Sequence, residues 1–455
     1  MKISYVSILF AAILLSSCQL GPDFAGAPEQ ELPATWVNAL PPSSGPENLS
    51  AWWQSFGDAQ LTELINKGFL GNPDMVTAAL SIAKAEASLR SVRSGLFPTT
   101  SVTVGGSNAG DFIDANSHGS WSGALSVSWT PDIWGGTRRE VEAVFASLGS
   151  TQAAANATRT ALAASIANTY FEWISARESL RIAREQLEYQ ERTYNVVKQK
   201  EAVGMVANLE LAEARATIAS TRAQIPTYEA NIRSCENTLA TLLGTTVDKI
   251  ALSMPSAATY NKIPRVPTGL PSELLRRRPD IVRAEHDLHN ATAKIGAGVA
   301  ALFPSLSLTG RVNASSGTDF ADFFRNSAWS LGASVGQTIF NRTALNEKVN
   351  IAELERDASA QAYRKTVLAA FAEVEDCLIA YARLTNQLPQ YQAAAAANKE
   401  AAELSLRRFN SGESDFLNVA AAERAWLSAE LNLISTRQQI RMALARLCTA
   451  LGGGW

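Results

Sequence analysis

The chain repeats itself at an offset of 206 residues, and this duplication limits its architecture more than any other feature. Asn72-Pro73-Asp74 returns as Arg278-Pro279-Asp280, and Leu96-Phe97-Pro98 returns as Leu302-Phe303-Pro304. Nine of the 27 positions from 72 to 98 are identical at that offset. Ile133-Trp134 then matches Ile339-Phe340, and Ala176-Arg177 matches Ala382-Arg383. Further on the offset is 208, where Gly204 matches Gly412, Leu209 matches Leu417 and Leu243-Gly244 matches Leu451-Gly452. A period this long is a duplicated half-protein rather than a solenoid unit.

Each half carries the same order of signals. A helical stretch, about 75–95 and 281–301, ends at Leu-Phe-Pro, because the residue before proline is pushed out of the α region. Two strand-like segments follow, at roughly 99–109 and 121–131, then 305–315 and 329–339. Alternation is visible at Ser101-Val102-Thr103-Val104 and at Ser126-Val127-Ser128-Trp129, and runs of about ten residues have the length of a transmembrane strand. A soluble hairpin is the alternative for such weak segments. A long helix is then expected over 137–202. Its seam reads Leu162, Ile166, Thr169, Trp173, Ala176, Leu180, Ala183, Leu187, Gln190, Tyr194 and Val197, with 4-3 spacing throughout. At 1.5 Å per residue this helix is about 100 Å long, too long to bury itself in one globule.

After Gly204 a return helix is expected over 205–243, kinked at Pro226. A Pro- and Thr-rich linker runs on to Pro271. The return helix and the helix at 281–301 together match the long one, at about 58 and 32 Å. The geometry closes if those two stack end to end beside it. All four strands then fall at one end, both glycine turns at the other, and the linkers between. In the second half the long helix is expected to be interrupted at Leu388-Pro389. Four strands cannot close a barrel in lipid, where every backbone group needs a partner, and about eight is the lower limit. Several copies must share one barrel. Three copies give about twelve strands, within the known range.

Composition narrows the function. Of 455 residues, 46% are hydrophobic and 18% charged, enough for a large core. The net charge of −3 leaves no electrostatic footprint for nucleic acid. Residues 1–17 read as a lipoprotein signal peptide. Lys2 is the positive start, Val6 to Leu15 are an apolar core too short to span a membrane, and Leu15-Ser16-Ser17-Cys18 resembles a bacterial lipobox. Small residues before the cysteine suit a signal peptidase, and the Cys18 thiol accepts the lipid, the one covalent group expected. An ordinary signal peptide with a chance cysteine is the alternative. Gln19 in place of Asp favours the outer membrane, by resemblance to sorted lipoproteins. Cys235, Cys377 and Cys448 read as small buried hydrophobes without a disulfide framework.

The resulting division is 1–17 signal peptide, 18–71 N-terminal extended equatorial segment, 72–244 first repeat, 245–277 equatorial linker and 278–455 second repeat. The residues that carry a family resemblance are Cys18-Gln-Leu-Gly-Pro-Asp-Phe24, Trp52-Trp53-x-x-Phe56-x-Asp58-x-x-Leu61, GLPSELLRRRPDIVRAEHDL from Gly269 to Leu288, IGAGVAALFPSLSLTG from Ile295 to Gly310, and the terminal Ala450-Leu-Gly-Gly-Gly-Trp455. Over almost its whole length the chain resembles the outer-membrane efflux channel family of the TolC and OprM type, in its lipoprotein branch. The resemblance implies a mainly α fold with a β-barrel part: a homotrimer with a 12-stranded barrel in the outer membrane and an α-helical tunnel through the periplasm. It implies as partners a periplasmic adaptor (a membrane fusion protein) and an inner-membrane RND-type pump, and as function a passive exit duct for drugs or other small toxic compounds.

By the same resemblance, the periplasmic gate lies beside the glycine turns, at Arg408, Phe409, Leu417 and Arg424 in the second half and Leu209, Glu210 and Glu213 in the first. Threefold symmetry would turn each lumen-facing residue into a ring, and apolar rings constrict while acidic rings select cations. Solvated flank charges are the competing reading for the charged members. The family often has Asp after the leucine, whereas Glu210 and Asn418 stand there in this chain. Gly204 and Gly412 are turn glycines and, on the family pattern, adaptor-docking tips. Glu285-His286-Asp287-x-His289 has HxxH rather than HExxH spacing, and a zinc site would need a third ligand. Arg276-Arg277-Arg278 reads as a solvated or structural run. No cofactor is expected. A lipid-anchored adaptor would show one hairpin flanked by β-rich domains, and a lipoprotein enzyme would show a catalytic constellation; neither pattern is present. The outer-membrane duct of a type I protein-secretion system is a variant of the same reading.

Overall fold

The computed structural model describes residues 19–39, 49–110, 117–264, 271–316 and 325–455. The expected signal peptide, the lipid-accepting Cys18 and linker residues 265–270 lie outside them. Among the described residues, seven α-helices have 13 residues or more: α1 (Ala59–Gly71), α2 (Pro73–Ser94), α3 (Gly136–Ala202), α4 (Asn208–Leu242), α5 (Pro279–Ala300), α6 (Arg342–Ser411) and α7 (Phe416–Ala450). Four strands join them: β1 (Thr99–Gly110), β2 (Ser117–Trp129), β3 (Ser305–Ser316) and β4 (Ser327–Gly336). The order α2-β1-β2-α3-α4 is repeated as α5-β3-β4-α6-α7, so the duplication read from the sequence is present in the fold. Two short helical segments, Ala257–Asn261 and Leu274–Arg277, lie in the linker.

The chain forms two compact units. The first is built from the described residues up to Gln30, Leu80–Ala153 and Val282–Thr366. It contains one antiparallel sheet in the order β1-β2-β3-β4. Register sorts the side chains cleanly. One row across all four strands is Val102, Leu125, Val312 and Trp329. These four are 71%, 43%, 47% and 75% exposed. The adjacent row is Ser101, Ser126, Arg311 and Ser330. Side chains alternate between faces along a strand, so the sheet has one apolar and one polar face. Arg311 is the single residue of the four strands that is charged at neutral pH, and it falls on the polar face. On the apolar face at mid-membrane depth it would cost about 2–4 kcal/mol.

The first unit also holds the start of the described chain. Leu20 donates its backbone N–H to Trp134 O at 3.2 Å. The side chain of Arg139, 1% exposed, donates to Leu20 O, Gly21 O, Asp23 and Glu142. Gly21 has φ +91, and a side chain there would collide with the Gly296 backbone. A side chain at Gly296 would in turn meet the Arg139 guanidinium. The Leu20 amide bond, the Arg139 hydrogen bonds and the close approach of Gly21 to Gly296 together dock this segment.

The second unit is built from Glu31–Ala79, Ala154–Ile281 and Val367–Trp455. Its motif Trp52-Trp53-x-x-Phe56-x-Asp58-x-x-Leu61 is structural. Trp52, Trp53, Phe56 and Leu61 are buried, Asp58 caps α1 by accepting from the Gln60 and Leu61 amides, and Tyr170 donates to Asp58 at 2.9 Å. Arg278 of the basic run is buried as well, paired with Asp280 and Glu373 at 2.7 and 2.9 Å and donating to Ala450 O. Opposite charges and a carbonyl on all sides offset the cost of burying it.

The heptad seam of α3 is inside: of its eleven positions none is exposed. The interruption expected at Leu388-Pro389 is absent, because α6 is one helix through Pro389. A helix-interior proline costs about 3 kcal/mol. The loss is met by packing: Leu388, Tyr391 and Ala395 form one cluster with Ala429 and Leu433 of α7. Pro226 likewise lies within α4 without dividing it.

Candidate gate and hairpin tips

Both hairpins turn in the same way. At the first, Gly204 donates to Glu201 O and Met205 to Lys200 O, each at 2.8 Å. At the second, Gly412 donates to Phe409 O at 3.1 Å and Glu413 to Arg408 O at 2.9 Å. This nested pair of bonds is a Schellman termination, which requires a left-handed residue just past the helix. Gly204 and Gly412 supply it at φ +72 and +82. Nothing lies within 4 Å of a Cβ built on either glycine, so only backbone conformation demands glycine there. Val203 and Met205 flank the first glycine and are 68% and 74% exposed.

Behind the tips, the two hairpins share one apolar core of Val197, Leu211, Ala214, Phe409, Phe416, Val419 and Ala420. Phe409 is 2% exposed, edge-on to Phe416 with ring centroids 5.7 Å apart. Lys200 sits 4.6 Å over the Phe409 ring and donates to Phe409 O and Asn410 O. Of the residues singled out from the sequence, Phe409 is thus held within a single copy. Leu209 and Leu417, equivalent at the 208 offset, are 66% and 58% exposed. Arg408 and Arg424 are exposed, Arg424 donating Nε to Ala420 O at 3.1 Å. Glu210 and Glu213 are half-buried, and Glu210 Oε2 is buried without a hydrogen-bond partner.

The structure adds a residue that the sequence did not disclose. Glu423 is 1% exposed and lies in the α3–α7 seam. Thr193 donates to its Oε1 at 3.1 Å, and Gln186 donates to its backbone carbonyl at 3.4 Å. Burial pushes its carboxyl up to about 7, against which the Thr193 hydrogen bond pulls only partly. Tyr189, half-buried and edge-on to Trp426, is pushed up to about 12 by burial and by the nearby Glu423 and Glu403 charges. Gln190 was in the seam read from the sequence, and a polar seam position is the one signal that pointed to this layer.

The two histidines have other work. His289 meets Glu142 Oε1 at 3.0 Å and stacks on Phe24 at 4.4 Å. His286 packs where a side chain at Gly149 would stand. No group of three potential metal ligands occurs among the described residues, and no helix among them is long and apolar enough to cross a membrane.

The family model described as outer membrane efflux protein matches residues 64–245 and again 270–453, one match per half. The antibiotic efflux pump outer membrane protein ArpC of Pseudomonas putida is 32% identical, across 99% of this chain and 96% of its own length. The cation efflux system protein CusC of Escherichia coli is 30% identical, across 98% of this chain and 97% of its own. Among solved structures, the open-state MtrE outer membrane channel of Neisseria gonorrhoeae superimposes with a TM-score of 0.86 at 29% identity, covering 96% of this chain and 98% of that one.

Proposed function

The chain belongs to the outer membrane efflux protein family and serves as the outer-membrane exit channel of an efflux pump; we propose that it does so as a lipid-anchored homotrimer. The observation that carries the assembly is the sheet. It ends in two unpaired edges, β1 and β4, and exposes an apolar face. In lipid such edges are satisfied only by pairing with further strands, so β4 of one copy pairs with β1 of the next. Twelve strands at about 4.8 Å spacing and about 40° tilt close at a radius of about 12 Å, wide enough for small solutes. The helices support the same reading. α2 has no buried residue, and Ile351, Leu354, Leu368 and Ile379 of α6 fall on one exposed heptad stripe.

In this reading the mature chain begins at Cys18, which carries the lipid. The tips at Gly204 and Gly412 meet a periplasmic adaptor, which connects the duct to an inner-membrane pump. The gate is formed from Leu209, Glu210 and Glu213 of α4 and from Arg408, Leu417 and Arg424 of the second hairpin, with Phe409 bracing it from within. Transport is passive, driven by the pump; family members are channel proteins, and the chain is assigned no catalytic step. Drugs or other small toxic compounds are the cargo. Native mass spectrometry of protein extracted from outer membranes in mild detergent tests this assembly. A lipid-modified trimer is expected, and a folded monomer would overturn it.

A further inference from the structure

Glu423 stands out among the buried groups. It lies four residues past Val419 and three past Ala420, which belong to the apolar core behind the tips. On its other side Leu427 packs with Ile182 and Ile434. A carboxyl group therefore interrupts an otherwise apolar seam at the start of α7, the helix that carries Leu417 and Arg424. Gln186, Gln190 and Thr193 of α3, each at most 3% exposed, form the polar layer around it. None of these brings a positive charge. Ionisable groups placed about it are Tyr189 of α3, which feels Glu423 together with Glu403, Arg192 and Arg407, Lys399 of α6 over the Trp426 ring, Arg424 on its own helix, donating to Ala420 O, and Glu210 and Glu213 of α4, next in sequence to Leu211 and Ala214 of the same apolar core. Among the described residues, Thr193 is the one side chain bonded to the carboxyl.

We propose that Glu423 is a positioning residue of the gate: uncharged, it keeps the first turns of α7 packed on α3, and its ionisation releases them. This rests on the gate assignment made above. A charge in this seam has one hydroxyl partner and no counter-ion, so ionisation favours arrangements that let water in. The direction follows from the chemistry. In the packed seam the carboxyl holds its proton to about neutral pH, and in a loosened seam it gives the proton up at the ordinary carboxylate range. Packing is therefore complete in acid and weakens as pH rises toward and past neutral. An outer-membrane duct with this device closes its periplasmic end in an acidified periplasm and relaxes it at neutral or alkaline pH.

The test uses the intact trimer and compares wild type with Glu423→Gln, which keeps shape and hydrogen bonding without titrating. Amide exchange of residues 416–427, expressed as protection factors between pH 5.5 and 8, reads the seam directly. Wild type is expected to lose about tenfold protection across that window, and Glu423→Gln to stay flat at the low-pH level. Bilayer conductance over the same range reads the link to the gate: it should rise with pH in wild type and stay low in the variant. Glu423→Asp, which keeps the titration, should retain the pH dependence. Flat wild-type protection, or an undiminished pH response in Glu423→Gln, overturns the inference and leaves the duct untouched. Seam protection that changes with pH while conductance does not would instead overturn the placement of the gate at α7.

Discussion

At the residue scale the chain separates groups held by conformation from groups held by chemistry. Gly204 and Gly412 belong to the first kind, with left-handed backbone and open space around them. Gly412→Ala should cost about 1 kcal/mol through strain alone, with no clash, and fray the last turn of α6. Faster amide exchange at 408–413 with an unchanged sheet would show this. Glu423 belongs to the second kind. Its folded value near 7 lies above the ordinary carboxylate value, so the folded state holds the proton more tightly and stability falls as pH rises between the two. The whole effect is about 3 kcal/mol. The wild-type melting temperature should drop from pH 5 to pH 8, and that of Glu423→Gln should not. The cysteines separate by burial. Cys448 is fully buried, with its thiol pushed well above the ordinary range, and Cys377 is pushed up to about 11. A maleimide should label half-buried Cys235 slowly in the folded protein, and Cys377 and Cys448 only after denaturation. Fast labelling of Cys448 at neutral pH would contradict its place in the core.

At the element scale, periodicity carried most of what could be read beforehand. The 4-3 seam of α3 and the Leu-Phe-Pro breaks placed the helices and strands within a few residues of where they stand, because both signals are local: one is a stripe, the other a steric clash. Proline misleads inside α6, because a local penalty is outweighed by packing that involves residues far away in sequence. Leu388 and Ala395 meet Ala429 and Leu433, a contact that no window around Pro389 reveals. Pro389→Ala should therefore raise the melting temperature without changing the fold, as it restores one backbone hydrogen bond to a helix that already runs unbroken through that position. Glu423 escaped notice for the same reason. Glu-Arg after three alanines looks like a solvated helix flank until α3 covers it. The gate residues were approachable only through resemblance; exposure of Leu209 and Leu417 within one copy is compatible with a ring, while Phe409 is enclosed by its own chain.

At the scale of the whole molecule, the sheet faces set the strongest demand on assembly. Val312 stands in the middle of the apolar row, between Leu125 and Trp329. Val312→Arg should cost about 2–4 kcal/mol per copy, repeated in every copy of the barrel. Membrane fractionation and native mass spectrometry should show loss of inserted trimer, whereas Arg311→Ser one residue away should insert normally. Equal insertion of both variants would mean that the two faces are not divided between lipid and water.

The docking of residues 19–24 has a consequence in time. Their cradle is made by Arg139 and by Gly296, with His289 stacked on Phe24. The chain is synthesised from its N-terminus, so this segment is made before every part of its cradle, and the last wall arrives some 270 residues later. Until then residues 19–24 have at most the wall that Trp134 and Arg139 supply, and their docking is incomplete. Completion of the second half supplies the missing wall at Gly296 and His289, so the docking of residues 19–24 is a late event in folding, ordered by the layout of the chain itself.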